Sequence, residues 1–374
     1  MRFRYSADEK GNLVKKASVY TPDEHGINPA DVDPQAISIV DRLSKNGFES
    51  YIVGGAVRDL ILGKKPKDFD IVTAANPLKI KRIFRGSRII GNRFRLVHVY
   101  FGPKIFEVST FRSIKDGPTG NIFGAIEDDV LRRDFTLNAL FYDPLKQVVV
   151  DFVGGMKDIK AGIIKPIIPL PKIFSDDPVR MIRAIKYAVA TGFKLPLSLR
   201  WQIKRQSALL ASVSPSRLTE EIFKIIHSVN AGDIIDELDN TGLFKYLQPQ
   251  AASLFKTQPG FREQYLKSMN ALNTAGFKNL PGESMAALIR DYLETEADWT
   301  GNSVNPAPSV SERYKTAFLT ARKFVLPMNP PRIELDHAVR LLFAGHGVSV
   351  KRGRFHGRNV KEYQKPRNVN PAVH

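Results

Sequence analysis

The stretch from Tyr51 to Pro77 constrains the fold more than any other part of this 374-residue chain. It begins with a short β-prone apolar run that Gly54 and Gly55 end at once, which predicts a buried strand followed by a tight turn. A helix with an apolar stripe comes next, and a basic turn then leads into a second strand holding Asp68 and Asp70. This alternation of strand and helix favours a small α/β domain.

The polar residues of this stretch predict a phosphate and metal site. Asp68 and Asp70, two apart on a strand, project from one face and repel each other unless a cation lies between them, for which Mg²⁺ is the candidate. Without a Cβ, Gly54 and Gly55 allow backbone amides to approach a phosphate, and Arg58 adds a charged donor one turn inside the helix. We therefore expect a site for a nucleoside triphosphate with its metals. The alternatives are a plain turn and a solvated strand edge.

Residues 54–73, GGAVRDLILGKKPKDFDIVT, resemble the signature of the class II nucleotidyltransferases, which comprise bacterial poly(A) polymerases and CCA-adding tRNA nucleotidyltransferases. The resemblance runs from about Tyr51 to beyond Leu218 and implies an α+β fold, with a small nucleotidyltransferase α/β head followed by an all-helical neck and body. The expected organisation is a mobile N-terminal arm at 1–35, the catalytic head at 36–150, a base-recognising neck at 151–215, an RNA-binding helical body at 216–345 and a basic disordered tail at 346–374.

Composition agrees with a nucleic-acid partner. The formal net charge of +18 favours a polyanion, although a merely basic soluble protein is the alternative. The absence of cysteine excludes disulfides and thiolate metal sites. There is no apolar run long enough to cross a membrane and no signal segment at the start, so we expect a soluble, cytoplasmic protein.

Residues 91–112 predict a β-hairpin turned at Gly102 and Pro103, with Glu107 between two apolar residues of its second strand. An acid there faces water, a cation or a ligand, and a plain outward-facing residue is the alternative. The family resemblance implies that Glu107 is the third metal-binding carboxylate beside Asp68 and Asp70. Three carboxylates would hold two Mg²⁺ ions, one activating an RNA 3′-hydroxyl for attack on the α-phosphate and one steadying the leaving pyrophosphate.

The block EDDVLRRDFTLNALFY, residues 127–142, matches the family's R-R-D-F-T-x-N-A motif. The match implies that Arg133 and Asp134 lie at the incoming nucleotide, where the arginine binds phosphate and the carboxylate accepts from ribose hydroxyls. The alternative is a surface cluster in which Arg132, Arg133 and Asp134 merely pair with one another.

Residues 174–190, FSDDPVRMIRAIKYAVA, predict a helix with Asp177, Arg180 and Arg183 along one side. Capping of that helix is the alternative role of Asp177. The family's E-D-x-x-R block falls here, with an Asp in place of the usual Glu, and implies that Asp177 and Arg180 read the incoming base, with Arg183 and Lys186 nearby on the same helical line. A carboxylate acceptor beside a guanidinium donor suits adenine and cytosine and refuses guanine and uracil.

The residues GNRFRLVHV, 91–99, are similar to the corresponding strand of bacterial poly(A) polymerases, whereas CCA-adding enzymes usually read G-x-x-F-G-T. The resemblance therefore implies template-independent transfer of AMP from ATP to RNA 3′ ends, of mRNA or tRNA. The alternatives are a CCA-adding enzyme that uses CTP and ATP, and a catalytically inactive RNA-binding relative. The tail from Lys351 carries cations interleaved with Phe355 and Tyr363, which predicts an RNA contact, with a solubilising tail as the alternative.

Overall fold

The structure is a computed structural model. It describes six segments of the chain, residues 2–7, 13–91, 96–113, 123–272, 281–301 and 307–350. The strands are β1 (Arg2–Ala7), β2 (Leu13–Tyr20), β3 (Ser50–Val53), β4 (Asp70–Thr73), β5 (Ser87–Ile90), β6 (Leu96–Phe101), β7 (Lys104–Thr110), β8 (Leu140–Asp143) and β9 (Val148–Asp151).

The helices outnumber the strands and fill the second half of the chain. They are α1 (Pro22–His25), α2 (Pro34–Lys45), α3 (Gly55–Ile61), α4 (Pro77–Ile83), α5 (Ile126–Leu131), α6 (Gly155–Ala161), α7 (Leu170–Asp176), α8 (Val179–Thr191), α9 (Leu197–Gln206), α10 (Pro215–Ile226), α11 (Ala231–Asn240), α12 (Phe244–Leu247), α13 (Pro249–Thr257), α14 (Phe261–Ala271), α15 (Pro281–Glu296), α16 (Val310–Phe324) and α17 (Arg332–Gly345).

The strands form one mixed sheet in the order β1-β2-β9-β8-β3-β4-β7-β6-β5. Its strands β3 and β8 are buried at every residue, because core clusters of apolar side chains lie on both faces of the sheet. β3 runs antiparallel to β4 with Val53 opposite Asp70, and β4 runs parallel to β7 with Ile71 beside Val108. The end of β3, the start of β4 and the middle of β7 are therefore neighbours within the centre of the sheet.

The sequence-based elements are largely confirmed. The helix over residues 36–46 is α2, the strand at 51–53 is β3, and the hairpin turned at Gly102 is formed by β6 and β7. Glu107 faces outward between buried Phe106 and Val108, as the alternation predicted. The α+β class, with a mixed head sheet followed by helices, is likewise confirmed.

Two expectations need correction. Residues 1–35 are not simply an arm, because β1 and β2 form a hairpin that pairs with β9 and extends the head sheet. Asp68 does not share a strand with Asp70. Since β3 ends at Val53, where the glycine turn begins, β4 has no antiparallel partner before Asp70 and Asp68 lies in the preceding loop.

The head is joined to the following helices by the basic turn that precedes Asp68. The Lys64 ammonium donates to the carbonyl of Ala190 near the end of α8, and the Lys67 ammonium donates to the carbonyl of His227 at the end of α10. Cations at helix C-termini interact favourably with the exposed carbonyls there. Across the described segments, no helix is long and apolar enough to cross a membrane. The basic tail from Lys351 and the residues Asn92–Arg95 lie outside the described residues.

Candidate active site

The turn between β3 and α3 forms one wall of the site. Gly54 has φ +73°, a conformation that favours glycine, and its Cα lies close to the Asp70 carboxylate, since a Cβ built there would come within 4.0 Å of Oδ2. Arg58 follows on α3 and donates from Nε to Asp59 at 2.9 Å and from Nη1 to Asn138 Oδ1 at 2.9 Å. Its guanidinium also lies 5.6 Å from the ring centroid of Tyr187. The predicted phosphate-binding arginine is thus held by three neighbours.

The three predicted metal carboxylates differ in setting. The parallel register of β4 and β7 places Asp70 beside Glu107, and Asp68 precedes β4; Asp70 is the exposed first residue of an otherwise buried strand. Desolvation of its carboxylate by the surrounding protein atoms, followed by the negative charges of Glu107 and Asp68, raises the pKa of Asp70 to about 6, although Arg133 opposes the shift. Glu107 lies 3.5 Å from His98 Nε2 on β6. Asp70 is therefore electrostatically coupled to both partners.

The carboxylates are not gathered at ligand distance. Within the segments that the structure describes, no group of three or more His, Asp or Glu side chains has the arrangement of a metal site. Asp68, Asp70 and Glu107 are all exposed, so their side chains are not fixed by packing. The metal-binding roles of Asp68, Asp70 and Glu107 stay predictions.

A buried aspartate that the sequence-based interpretation missed anchors two arginines of the site. Asp129 on α5 is fully buried and accepts from Arg132 Nε at 2.8 Å and from Arg133 Nε and Nη2 at 3.1 and 2.8 Å. Burial alone would raise the pKa of Asp129, but the guanidiniums of Arg133 and Arg132 outweigh it and lower that pKa. The arginines therefore pair with Asp129 rather than with Asp134, unlike in the surface-cluster alternative. Asp134 accepts instead from its neighbouring backbone N–H at 2.8 Å.

The helix α8 carries the predicted base-reading residues. Arg180 is 4% exposed, and its guanidinium donates to the carbonyls of Ile173 at 3.2 Å and Arg132 at 3.4 Å. Asp177 accepts from the backbone N–H of Val179 at 3.2 Å, but α8 has Pro178 at its N-cap, so Asp177 lies one residue before the expected capping position. Its two carboxylate oxygens also accept from Arg217 Nη2 on α10, at 3.0 and 2.9 Å. Both candidate base readers are thus fixed by neighbours, and Arg217 was not predicted.

Glu221 on α10 is a second buried acid, 2% exposed, that organises cations of α8. It lies 3.3 Å from Arg183 Nε, 3.3 Å from the Lys186 ammonium and 3.4 Å from the Lys224 ammonium. Burial lowers the pKa of Lys186 and would raise that of Glu221, but Lys186 and Arg183 outweigh burial and lower the pKa of Glu221. Arg183 also lies 3.8 Å from Asp134, so it links this cluster to the site.

Part of this set of side chains surrounds an open cavity of about 380 Å³ between head and neck. Its lining residues are Gly54, Gly55, Arg58, Asp70, Arg132, Arg133, Asp134, Asn138, Arg180, Arg183 and Tyr187. Eight of the twelve predicted site residues are among them. The other four, Asp68, Glu107, Asp177 and Lys186, do not line the cavity.

Three lining residues were missed by the sequence-based interpretation. Arg132 was considered only as a surface residue, and Asn138 stands in the R-R-D-F-T-x-N-A motif, where the motif itself was the available signal. Tyr187 follows Arg180 by seven residues and Arg183 by four on α8, a spacing that places it on the same helical face. Because an aromatic at that spacing is typical of a core, only the cavity reveals its position.

Two regions of the chain match known protein families. Residues 50–165 match the family described as "Poly A polymerase head domain", and residues 192–255 match the one described as "Probable RNA and SrmB- binding site of polymerase A". Poly(A) polymerase I of Escherichia coli O6:H1 is 40% identical over 266 residues, which cover 67% of this chain and 57% of that protein. The CC-adding tRNA nucleotidyltransferase of Halalkalibacterium halodurans is 36% identical over 217 residues, which cover 58% of this chain and 55% of that protein.

Solved structures agree on the architecture. The Bacillus stearothermophilus CCA-adding enzyme in complex with CTP superimposes with a TM-score of 0.56 at 28% identity, over 84% of this chain and 83% of that one. The chain matches somewhat more than half the length of the poly(A) polymerase I of E. coli O6:H1. The two matched family regions and the shared architecture make the chain similar to the class II nucleotidyltransferases, and it is more similar to the bacterial poly(A) polymerase I than to the CC-adding enzyme.

Proposed function

We propose that this protein transfers AMP from ATP to the 3′-hydroxyl of an RNA without a template, as a polynucleotide adenylyltransferase. The observation that carries the proposal is the cavity between head and neck, in which five arginines face the glycine turn and Asp70. Greater identity to poly(A) polymerase I than to the CC-adding enzyme supports adenylation over CCA addition.

The charges of the cavity suit a triphosphate. Five arginines and two aspartates line it, which leaves an excess of positive charge for a polyanionic ligand. Arg58 is oriented by Asn138 and Tyr187, and Arg132 and Arg133 are oriented by buried Asp129. Pre-oriented guanidiniums bind phosphate oxygens without losing much side-chain entropy on binding.

The donor chemistry of Asp68, Asp70 and Glu107 fits Mg²⁺, which takes oxygen ligands. The pKa of Asp70 is raised first by desolvation and then by the negative charges of Glu107 and Asp68, and a cation would offset those charges. These three residues would hold the ions. When bound, Mg²⁺ would activate the RNA 3′-hydroxyl and stabilise the charge of the pyrophosphate. Asp134 would accept from the ribose hydroxyls, as its position in the cavity allows.

Base selection would follow from two fixed side chains. Arg180 keeps further N–H donors for a ring nitrogen of the base while two carbonyls hold its guanidinium. Arg217 holds the Asp177 carboxylate, which would accept from an exocyclic amino group. Adenine and cytosine present that pattern, so this pair refuses GTP and UTP but does not by itself separate ATP from CTP.

The RNA side of the reaction is supported by α9, which lies within the matched region 192–255. Trp201 on this helix is 59% exposed, and the Arg205 guanidinium lies 5.1 Å from its ring centroid. An exposed aromatic beside cations is suited to stack on a base while its neighbours contact phosphate.

A CCA-adding enzyme is the second candidate, supported by the likeness to the B. stearothermophilus enzyme with CTP. The deciding experiment offers the purified protein an unstructured oligoribonucleotide and a tRNA lacking its 3′ end, each with ATP alone or with CTP added. Long A-tails on either primer would support adenylation. Extension of the tRNA alone, by a short defined addition dependent on both nucleotides, would overturn it in favour of CCA addition.

A further inference from the structure

The hairpin of β1 and β2 has two unlike faces. On its inner face Ala17 is 3% exposed and packs in a core cluster with Val150, while Arg4 pairs with Glu49 and donates to the hydroxyl of Tyr51. These contacts fix the hairpin on the head, since β2 also pairs with β9. The hairpin is therefore a built part of the sheet with a definite outer face.

The outer face presents two aromatic rings and a cation. Phe3 and Tyr5 are 40% and 53% exposed, and their ring centroids lie 6.4 Å apart in an edge-to-face arrangement. The Lys15 ammonium lies 3.6 Å from the ring centroid of Phe3, and Lys15 pairs with Tyr5 across the hairpin. Neither described strand of the hairpin, 2–7 or 13–20, contains an acidic residue.

Such a surface needs a partner with both flat apolar groups and negative charge. Exposed aromatics on a sheet stack on unpaired bases, and cations beside them attract the phosphate backbone, which is how single-stranded nucleic acid is bound without sequence preference. The phosphate backbone of RNA carries a negative charge at every nucleotide, whereas an ordinary protein segment does not. Charge complementarity therefore favours RNA as the partner. We propose that the outer face of the β1–β2 hairpin is a second RNA contact, which binds bases of the single-stranded primer. This inference rests on the proposed function.

The position of the hairpin defines which part of the primer it would bind. β1 lies five strand intervals from β4 in the sheet, which corresponds to about 24 Å at ~4.8 Å for each interval. The 3′-terminal nucleotide at Asp70 is therefore out of reach of the hairpin, and nucleotides further upstream would contact it. Long primers would gain affinity from this contact, and primers of only about 4 nucleotides would not.

The test uses the full chain with the double variant Phe3→Ala, Tyr5→Ala. Kd is measured for a long unstructured oligoribonucleotide, and the rate of ATP incorporation is measured on a primer of about 4 nucleotides. We expect the Kd for the long RNA to rise about tenfold and the short-primer rate to stay unchanged. Lys15→Gln should make the slope of log Kd against log salt shallower by about 0.7.

Three further variants separate stacking from other effects. Tyr5→Trp should keep the affinity for long RNA and Tyr5→Leu should lose it, while Ile333→Ala, which changes a side chain 77% exposed on α17, should have no effect. An unchanged Kd in the double variant, or an equal loss with Tyr5→Trp and Tyr5→Leu, would overturn the inference. The inference would also be overturned if the double variant changed the self-association of the protein in sedimentation but bound RNA as tightly as wild type. If the wild-type protein binds RNA through the hairpin but incorporates no ATP, the proposed function fails and this contact stands.

Discussion

Replacement of Asp129 by Asn tests whether a residue outside the cavity organises the triphosphate site. Asp129 is fully buried and accepts three hydrogen bonds from the guanidiniums of Arg132 and Arg133, which line the cavity. Asn keeps the shape but removes the negative charge and one acceptor oxygen, so two largely buried guanidiniums lose their counter-ion. Removing one partner of a buried pair costs about 3–5 kcal/mol.

The expected results are a lower free energy of unfolding and weaker binding of ATP. The free energy of unfolding of the head should fall by that amount, which lowers its urea midpoint by more than about 1 M. Because one misplaced charge-assisted hydrogen bond to phosphate is worth about 1.5–3 kcal/mol, KM for ATP should rise at least about tenfold. Both are measured beside Asp128→Asn, which alters a half-buried neighbour on the same helix.

The pH dependence gives the experiment a second readout. The pKa of Asp129 is lowered in the folded protein, so its stabilising contribution is present above the pH at which aspartates of the unfolded chain titrate. That contribution is lost as the pH falls through the folded pKa. The stability gap between wild type and Asp129→Asn should therefore be constant near neutral pH and close only in acid. A variant as stable as wild type at neutral pH, with an unchanged KM, would refute the anchoring role.

Three further changes probe separate parts of the account. Because a proton competes for Asp70 with its pKa of about 6, the Kd for Mg²⁺ by calorimetry should rise about tenfold for each pH unit below that value, and a flat profile would contradict the coupling. Arg217→Met removes the ion-pair partner of Asp177. Because this pair is partly exposed, the preference for ATP over GTP in kcat/KM should fall only about threefold to tenfold. An unchanged preference would show that Arg217 has no role in base recognition. Gly155→Ala places a Cβ 2.4 Å from the backbone carbonyl of Thr136 and should lower the free energy of unfolding by about 1–3 kcal/mol. Gly345→Ala places a Cβ that meets nothing within 4 Å and should leave stability unchanged. Equal unfolding curves for the two variants would show that the backbone at Thr136 shifts to accommodate the methyl group.

The sequence predicts the centre of the head well because its signals are local. An apolar strand ended by two glycines and a helix ended by Gly63 follow from residues a few positions apart, and β3 and α3 appear where expected. The eight predicted residues that line the cavity come from three blocks, each with dense charge or glycine in a short span. Only the folded structure shows that these three blocks meet around one cavity.

The missed features depend on contacts between distant parts of the chain. Asp129 is one of three acids in a short run, and only its burial against Arg132 and Arg133 distinguishes it from Asp128. Arg217 meets Asp177 forty residues away, across α8 and α10. Periodicity within a helix does not encode such pairs.

The N-terminal hairpin was missed for a related reason. Residues 1–35 are rich in polar residues, Gly and Pro, which is typical of a mobile segment. Its strands are stabilised by pairing with β9, which lies more than a hundred residues later, and by Arg4 with Glu49. A strand that completes a distant sheet has no local signal beyond its own alternation.

The central claim is that the cavity beside Asp70 supports nucleotidyl transfer to an RNA 3′ end. The most direct measurement is incorporation of ATP labelled at the α-phosphate into an oligoribonucleotide primer with Mg²⁺, for wild type and Asp70→Ala side by side. We expect a labelled, lengthened primer with wild type and a loss of labelling in the variant, while both forms bind the primer equally. Equal incorporation by the two forms, or none by either with primer binding intact, would contradict it.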